Sequence, residues 1–119
     1  MKRLIPVLDG VQVPDAALSG CKAAVIAVIV DQAAVNSLPG SFAQTMIGQL
    51  EERAAKLEKA AKKAKLKVKK MSAWGDVAAK IAQIAEIEQV REVMLADSQQ
   101  SRALAKQMKR GKGWKLSLI

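Results

Sequence analysis

A chain of 119 residues, half of them hydrophobic, is the size of a single domain spanning 1–119 with one modest core, which excludes a disordered protein. With no histidine and one cysteine, it can form no internal disulfide, and most zinc sites and every histidine-based acid/base or triad mechanism are excluded. Its formal net charge of +9 requires a basic surface, while the three aromatic residues, Phe42, Trp74 and Trp114, are too few for a platform that stacks bases.

Along the chain, strand-like and helix-like segments alternate. "RLIPVL" at 3–8 reads as a short buried strand ending at Asp9 and Gly10, and "AAVIAVIV" at 23–30 as a second, ending at Asp31; both are short and rich in branched residues. The second run is also the longest wholly apolar one, far below the roughly 20 residues needed to span a bilayer. Together with a first segment that lacks the apolar stretch of a signal peptide, this gives the expectation of a cytoplasmic protein. Between the strands, 11–22 holds Pro14 and "DAALSG", room for about two helical turns before Gly20.

After Asp31 the Gly/Pro/Asn/Ser stretch "NSLPGS" predicts a loop. A long helix is expected from Phe42 to about Ala64, with Phe42, Met46, Leu50, Leu57 and Ala61 on its apolar stripe, Ile47 and Ala54 beside them, and Glu52/Lys56 and Glu58/Lys62 paired outside. From Lys65 the period changes to two, which predicts a half-exposed strand in "KLKVKKM". Gly75 and Asp76 then turn into a helix capped by Asp76 and continuing to about Gln89. "REVMLA" is the fourth strand; Ser98 caps a helix ending among Lys106, Lys109, Arg110 and Gly111; "WKLSL" is the fifth strand.

Strands one, two and four are continuously apolar, whereas three and five alternate. Interior strands of a parallel sheet are covered on both faces, so three and five belong at the edges. The expected fold is α/β, a doubly wound five-stranded parallel sheet in the order 3-2-1-4-5 with right-handed crossovers. Pro6 fits a central strand poorly, because it has no N–H to donate.

The residues carrying these elements resemble a known family. "LIPVLDG" looks like the first strand of universal stress proteins, "AVIVDQ" like their second strand with its terminal aspartate, and "LKVKKMSAWGDVAAKIAQIAE" is similar to their third strand and the following helix. The resemblance covers most of the chain. It implies an adenine-nucleotide alpha-hydrolase-like fold, frequent dimerisation through the fifth strand and, in one branch, ATP or AMP binding across the carboxyl ends of strands one, two and four. It places Asp9 and the backbone at Val30 against the nucleotide. By themselves, Asp9 also reads as a turn residue and Val30 as core.

The stretch after strand four departs from the family pattern. ATP-binding members carry Gly-x-x-Gly there, followed about ten residues later by Gly-Ser/Thr, because phosphate must approach backbone N–H groups closely. Here the segment reads "ADSQQSRALAKQMKRGKG". Neither of the first two glycines is present, Asp97 brings negative charge, and Gly111 and Gly113 come late, reading better as a helix stop and a turn. Ser98, Ser101 and Arg102 remain as candidates for a small anion at the helix start. The resulting expectation is no cofactor, with ATP or AMP as the alternative.

No Walker-type, Cys-x-x-Cys, Gly-x-Ser-x-Gly or Gly-x-Gly-x-x-Gly motif occurs. Cys21 beside Lys22 reads as structural, and the carboxylate pairs Glu51/Glu52 and Glu86/Glu88 fall on helix surfaces, so catalysis is not expected. Three functional readings stay open. One is a non-catalytic, dimeric regulatory or partner-binding domain with Trp114, Leu116 and Leu118 facing the partner or the adjoining helices. Another is an ATP/AMP-binding stress-response protein with an atypical site. The last is a basic nucleic-acid-binding module using Lys56, Lys59, Lys62, Lys63, Lys65, Lys67, Lys69 and Lys70.

Overall fold

The computed structural model describes residues 2–108 and 113–119. Five parallel strands, β1 (Lys2–Val7), β2 (Ala23–Asp31), β3 (Lys67–Gly75), β4 (Glu92–Leu95) and β5 (Lys115–Leu118), form one sheet in the order β3-β2-β1-β4-β5. The expected order holds. β2 has a partner on each side and is buried along most of its length, as its unbroken apolar run requires.

Helices α1 (Gln32–Asn36), α2 (Gly40–Lys63), α3 (Val77–Ile87) and α4 (Gln99–Gln107) complete the chain. Leu4, Val25, Ala27, Ile29, Val93 and Leu95 pack under α3 and α4, whereas Ile5, Val7, Ile26, Val28 and Val30 pack under α2 and the first crossover. The alternation of each strand thus feeds two cores.

Pro6 finds an explanation in the register. β1 pairs with β2 from Lys2 to Val7, but with β4 only through Arg3↔Glu92 and Leu4↔Val93. The β4 side of the ladder has ended before the proline, and the two strands part toward their carboxyl ends. A proline costs little where no ladder bond remains to be made.

Four local expectations need correction. The first crossover contains a single 3-10 turn, Asp15–Leu18, in place of two helical turns. The Arg3 guanidinium donates to the carbonyls of Ala17 at 2.7 Å and Ser19 at 2.6 Å, acceptors that a continuing helix would use for its own next turn. Asp31 does not lead into a plain loop. Its carboxylate accepts from the amide of Ala33 at 3.1 Å and caps α1.

Phe42 is not on the buried stripe of α2. That stripe is Ala43, Met46, Leu50, Ala54, Leu57 and Ala61. Phe42 lies about 100° around the helix from Ala43 and is 64 % exposed. Lastly, Lys65 belongs to no strand: it has φ of 63° after the end of α2, and β3 instead runs on through Trp74 to Gly75. Asp76 caps α3 as expected, its carboxylate accepting from Ala79 N at 3.0 Å. The helix end expected at Lys109, Arg110 and Gly111 lies outside the described residues, and Gly113 has the positive φ of a turn.

Candidate functional site

In an open α/β sheet the crevice lies beyond the carboxyl ends of the strands where the order reverses, here between β1 and β4. The chain leaves β1 through the turn Leu8–Val11, closed by Val11 N donating to Leu8 O at 3.3 Å, with Gly10 at φ of 75°. This turn, the capped end of β2 and the starts of α3 and α4 enclose a cavity of about 190 Å³. Leu8, Ile29, Met46, Leu50 and Val77 are its apolar lining, and Asp9, Asp31 and Gln100 its polar groups. Small-molecule sites usually offer about 300–1,000 Å³.

The opening is narrowed by α4. A side chain beginning at Gly10 would put its Cβ 3.4 Å from Gln100 Oε1, so the exposed Gln100 side chain reaches the mouth of the crevice beside the β1 turn. Ser98 Oγ accepts from Ser101 N at 3.0 Å and lies 3.0 Å from Ser101 Oγ. Ser101 is fully buried. The two serines are brought together as a helix cap and neither lines the cavity; Gln100, between them, does.

Asp97 is held by Arg102 through two hydrogen bonds, Nε to Oδ1 at 2.8 Å and Nη2 to Oδ2 at 2.9 Å. That hydrogen bonding, more than the opposing desolvation, keeps its carboxyl below the usual range. The Asp97 amide donates to Ile119 O at 2.7 Å, tying this loop to the end of β5. Arg102 is thereby paired at the surface with a carboxylate five residues before it.

Of the other candidate residues, Asp9 reaches the cavity, but Val30 is buried among Val28, Met46 and the α2 core. Trp114 is 7 % exposed and belongs to the core under α3 and α4; Leu116 packs against that core, and Leu118 is exposed on the end strand. Cys21 is buried, its thiol 3.3 Å from Leu18 O. Among the described residues no group of three His, Cys, Asp or Glu could hold a metal, and no helix is long and apolar enough to cross a membrane.

The lysines do not make one plane. Lys56, Lys59, Lys62 and Lys63 are on α2. Lys67 and Lys69 share the strand face of Met71 and Ala73, which pack toward α3, while Lys70 shares that of Val68, which packs toward α2. Lys69 pairs with Glu88 at 3.0 Å and Lys56 with Glu52 at 3.8 Å.

Two features escaped the sequence reading. The first is the buried Arg3–Glu92 pair, Nε to Oε1 at 2.7 Å, extended by Ser117 Oγ donating to Glu92 Oε2 at 2.8 Å. Its signal was a pair of opposite charges, Arg3 and Glu92, each directly before the apolar run of its strand. The second is a cavity of about 400 Å³ between α2 and the first crossover, lined by Val7, Val11, Val13 and Leu57 with Asp15, Glu52, Arg53 and Lys56 at its rim.

No family model and no curated protein matches the sequence. Solved structures do. The chain is similar to hypothetical protein MJ0577, with TM-score 0.68 and 19 % identity over 99 % of this chain and 94 % of that one. It is also similar to hypothetical protein PH0823, with TM-score 0.63 and 17 % identity over the same shares. At these identities the likeness establishes the architecture: the chain has the doubly wound sheet that its strand pattern predicted, in the universal-stress-protein-like fold that the resemblance implied.

Proposed function

We propose that this chain is a non-catalytic, dimeric binding module of universal-stress-protein-like fold that acts through protein contacts rather than through ATP. The observation that supports this most is the small crevice at the strand ends with the carboxylates of Asp9 and Asp31 in its wall. A triphosphate entering the crevice would meet the carboxylates of Asp9 and Asp31 in about 190 Å³, with Gln100 against Gly10 and the amides of Asp97 and Ser101 already bonded. Phosphate sites need a favourable field as well as free amides, and the two carboxylates in the wall of this crevice oppose that field. β5 as an end strand with Leu118 43 % exposed supports association of two copies along that edge.

Calorimetric titration with ATP and with AMP, with and without magnesium, tests the reading, and no saturable heat is expected at millimolar nucleotide. Micromolar binding abolished by Asp9→Ala would overturn it in favour of a nucleotide-responsive switch. Sedimentation equilibrium should give a dimer that Leu118→Lys converts to monomer.

A second reading, nucleic-acid binding, is favoured by one observation: the exposed side chains of Phe42 and Trp74 accompany the lysines of α2 and β3. Such binding would weaken steeply with salt.

A further inference from the structure

With right-handed connections, the β1–β2 and β2–β3 crossovers cover the same face of this sheet, and the other two cover the opposite face. The α3/α4 face has its two helices. The other has α2 and, after β2, only the five-residue α1, because the first crossover is reduced to the 3-10 turn Asp15–Leu18. The flank of α2 that would meet a neighbouring helix is consequently open.

Two cavities lie along that flank, the one of about 400 Å³ described above and a second of about 430 Å³, with Asp15 in the wall of both. Their α2 residues are Gln49, Glu52, Arg53, Lys56, Leu57, Ala60 and Lys63, followed by the capping residue Ala64. The spacing is three and four throughout, which is one stripe of a helix. From Gln49 to Ala64 it extends about 22 Å at the rise of an α-helix, the length of roughly four turns. The floor is apolar or small: Val7, Val11, Leu57, Ala60. Along α2 the lip carries Arg53, Lys56 and Lys63 against one carboxylate, Glu52, which lies 3.8 Å from Lys56.

We propose that this groove docks an acidic amphipathic helix from another protein, in the place of the absent crossover helix. Leucine or alanine side chains would cover the floor, and glutamates would face Arg53, Lys56 and Lys63, while Glu52 and, on the opposite lip, Asp15 favour a basic residue beside them. The chain's own helices do not supply this. α1 and α4 contain no acidic residue, α3 contains only Glu86, and α2 would set lysine against lysine. A second copy in the groove is therefore opposed by charge.

The proposal rests on the reading of the chain as a partner-binding module and adds the surface and the chemistry of the partner. Its test is fluorescence anisotropy of a labelled 18-residue helical peptide, leucine on one face and glutamate along one flank, titrated with the full chain. A peptide of the same composition in shuffled order is the control. Saturable binding is expected for the amphipathic peptide, weakened at least tenfold by Ala60→Trp and by Arg53→Glu/Lys56→Glu, and less than twofold by Lys67→Glu/Lys70→Glu, which makes the same charge change on β3. Circular dichroism shows which variants remain folded, and the Ala60 and charge variants approach the groove independently.

Absence of binding would overturn the proposal, as would equal binding of the shuffled peptide or equal weakening by the β3 pair. Displacement of a self-associated dimer by the peptide would assign the groove to a second copy instead. Nucleotide binding with the peptide result intact would count against the proposed function alone; loss of the peptide result without nucleotide binding would count against the groove alone.

Discussion

Arg3 and Glu92 face each other across the short β1–β4 ladder, both nearly inaccessible to solvent. Each is hydrogen-bonded on more than one side, Arg3 to Ala17 and Ser19, Glu92 to Ser117, and Lys115 lies 3.7 Å from the carboxylate. Burial would raise the Glu92 pKa, but the hydrogen bonds from Ser117 and Arg3 and the charges of Arg3 and Lys115 outweigh it, so it lies below its ordinary value of 4.5. Removing one partner strands a buried charge, so Arg3→Leu is expected to cost about 3–5 kcal/mol in urea unfolding, and Arg3→Leu/Glu92→Leu markedly less than the sum of the singles. A depressed folded pKa gives stability that is complete above the ordinary carboxylate value and is lost as pH falls through the lower folded value. Glu88, held down chiefly by its hydrogen bond from Lys69, and Asp97 add in the same direction. Unfolding free energy should be level from about pH 7 to 5 and then fall with acid, with a shallower fall in Glu92→Gln. The sequence showed both charges but not their register, because pairing across 89 positions is a property of the sheet and not of either strand.

Both α2 and α3 end in the same way without a glycine. After α2, Lys65 N donates to Lys62 O and Leu66 N to Ala61 O; after α3, Gln89 N donates to Glu86 O and the amide of the buried Val90 to Ala85 O. This double closure puts the intervening residue in the left-handed region, Lys65 at φ of 63° and Gln89 at 53°. Each side chain opposes that backbone. Lys65→Gly and Gln89→Gly are each expected to raise stability by about 1 kcal/mol, and the alanine variants to leave it unchanged or lower, read from denaturant midpoints at constant slope. Here the sequence reading went astray for a physical reason: the lysine alternation continues smoothly through Lys65, and no glycine marks the turn. Phe42 misled similarly. Its size fits the stripe, but the smaller Ala43 holds the correct angular position and is the buried one.

For the molecule as a whole, strand number, order and edges were legible, because continuous and alternating apolar runs report directly how many faces of a strand are covered. That the segment after β4 lacks the first two glycines was legible in the sequence; that Gln100 comes beside Gly10 was not, since that depends on where α4 comes to rest. The groove beside α2 could be suspected only from the brevity of 11–22; the cavity itself requires knowing that no other element covers that flank. The basic run was evident, yet the sheet distributes it over two faces and pairs part of it with Glu88 and Glu52.

The single-turn crossover also bears on the order in which the chain assembles. Val7 and Ala23 bracket only residues 8–22, so the two central strands can meet by closing a short loop, whereas Arg3 must await Glu92 from 89 positions downstream. Loop-closure entropy favours the nearer pair. Stopped-flow measurements should find that Val25→Ala mainly slows folding, while Glu92→Gln mainly hastens unfolding; the reverse partition would place β4 in the folding nucleus. The short link that leaves a flank of α2 open is thus also what lets the centre of the sheet form first, with Arg3 held by the crossover carbonyls until its carboxylate arrives.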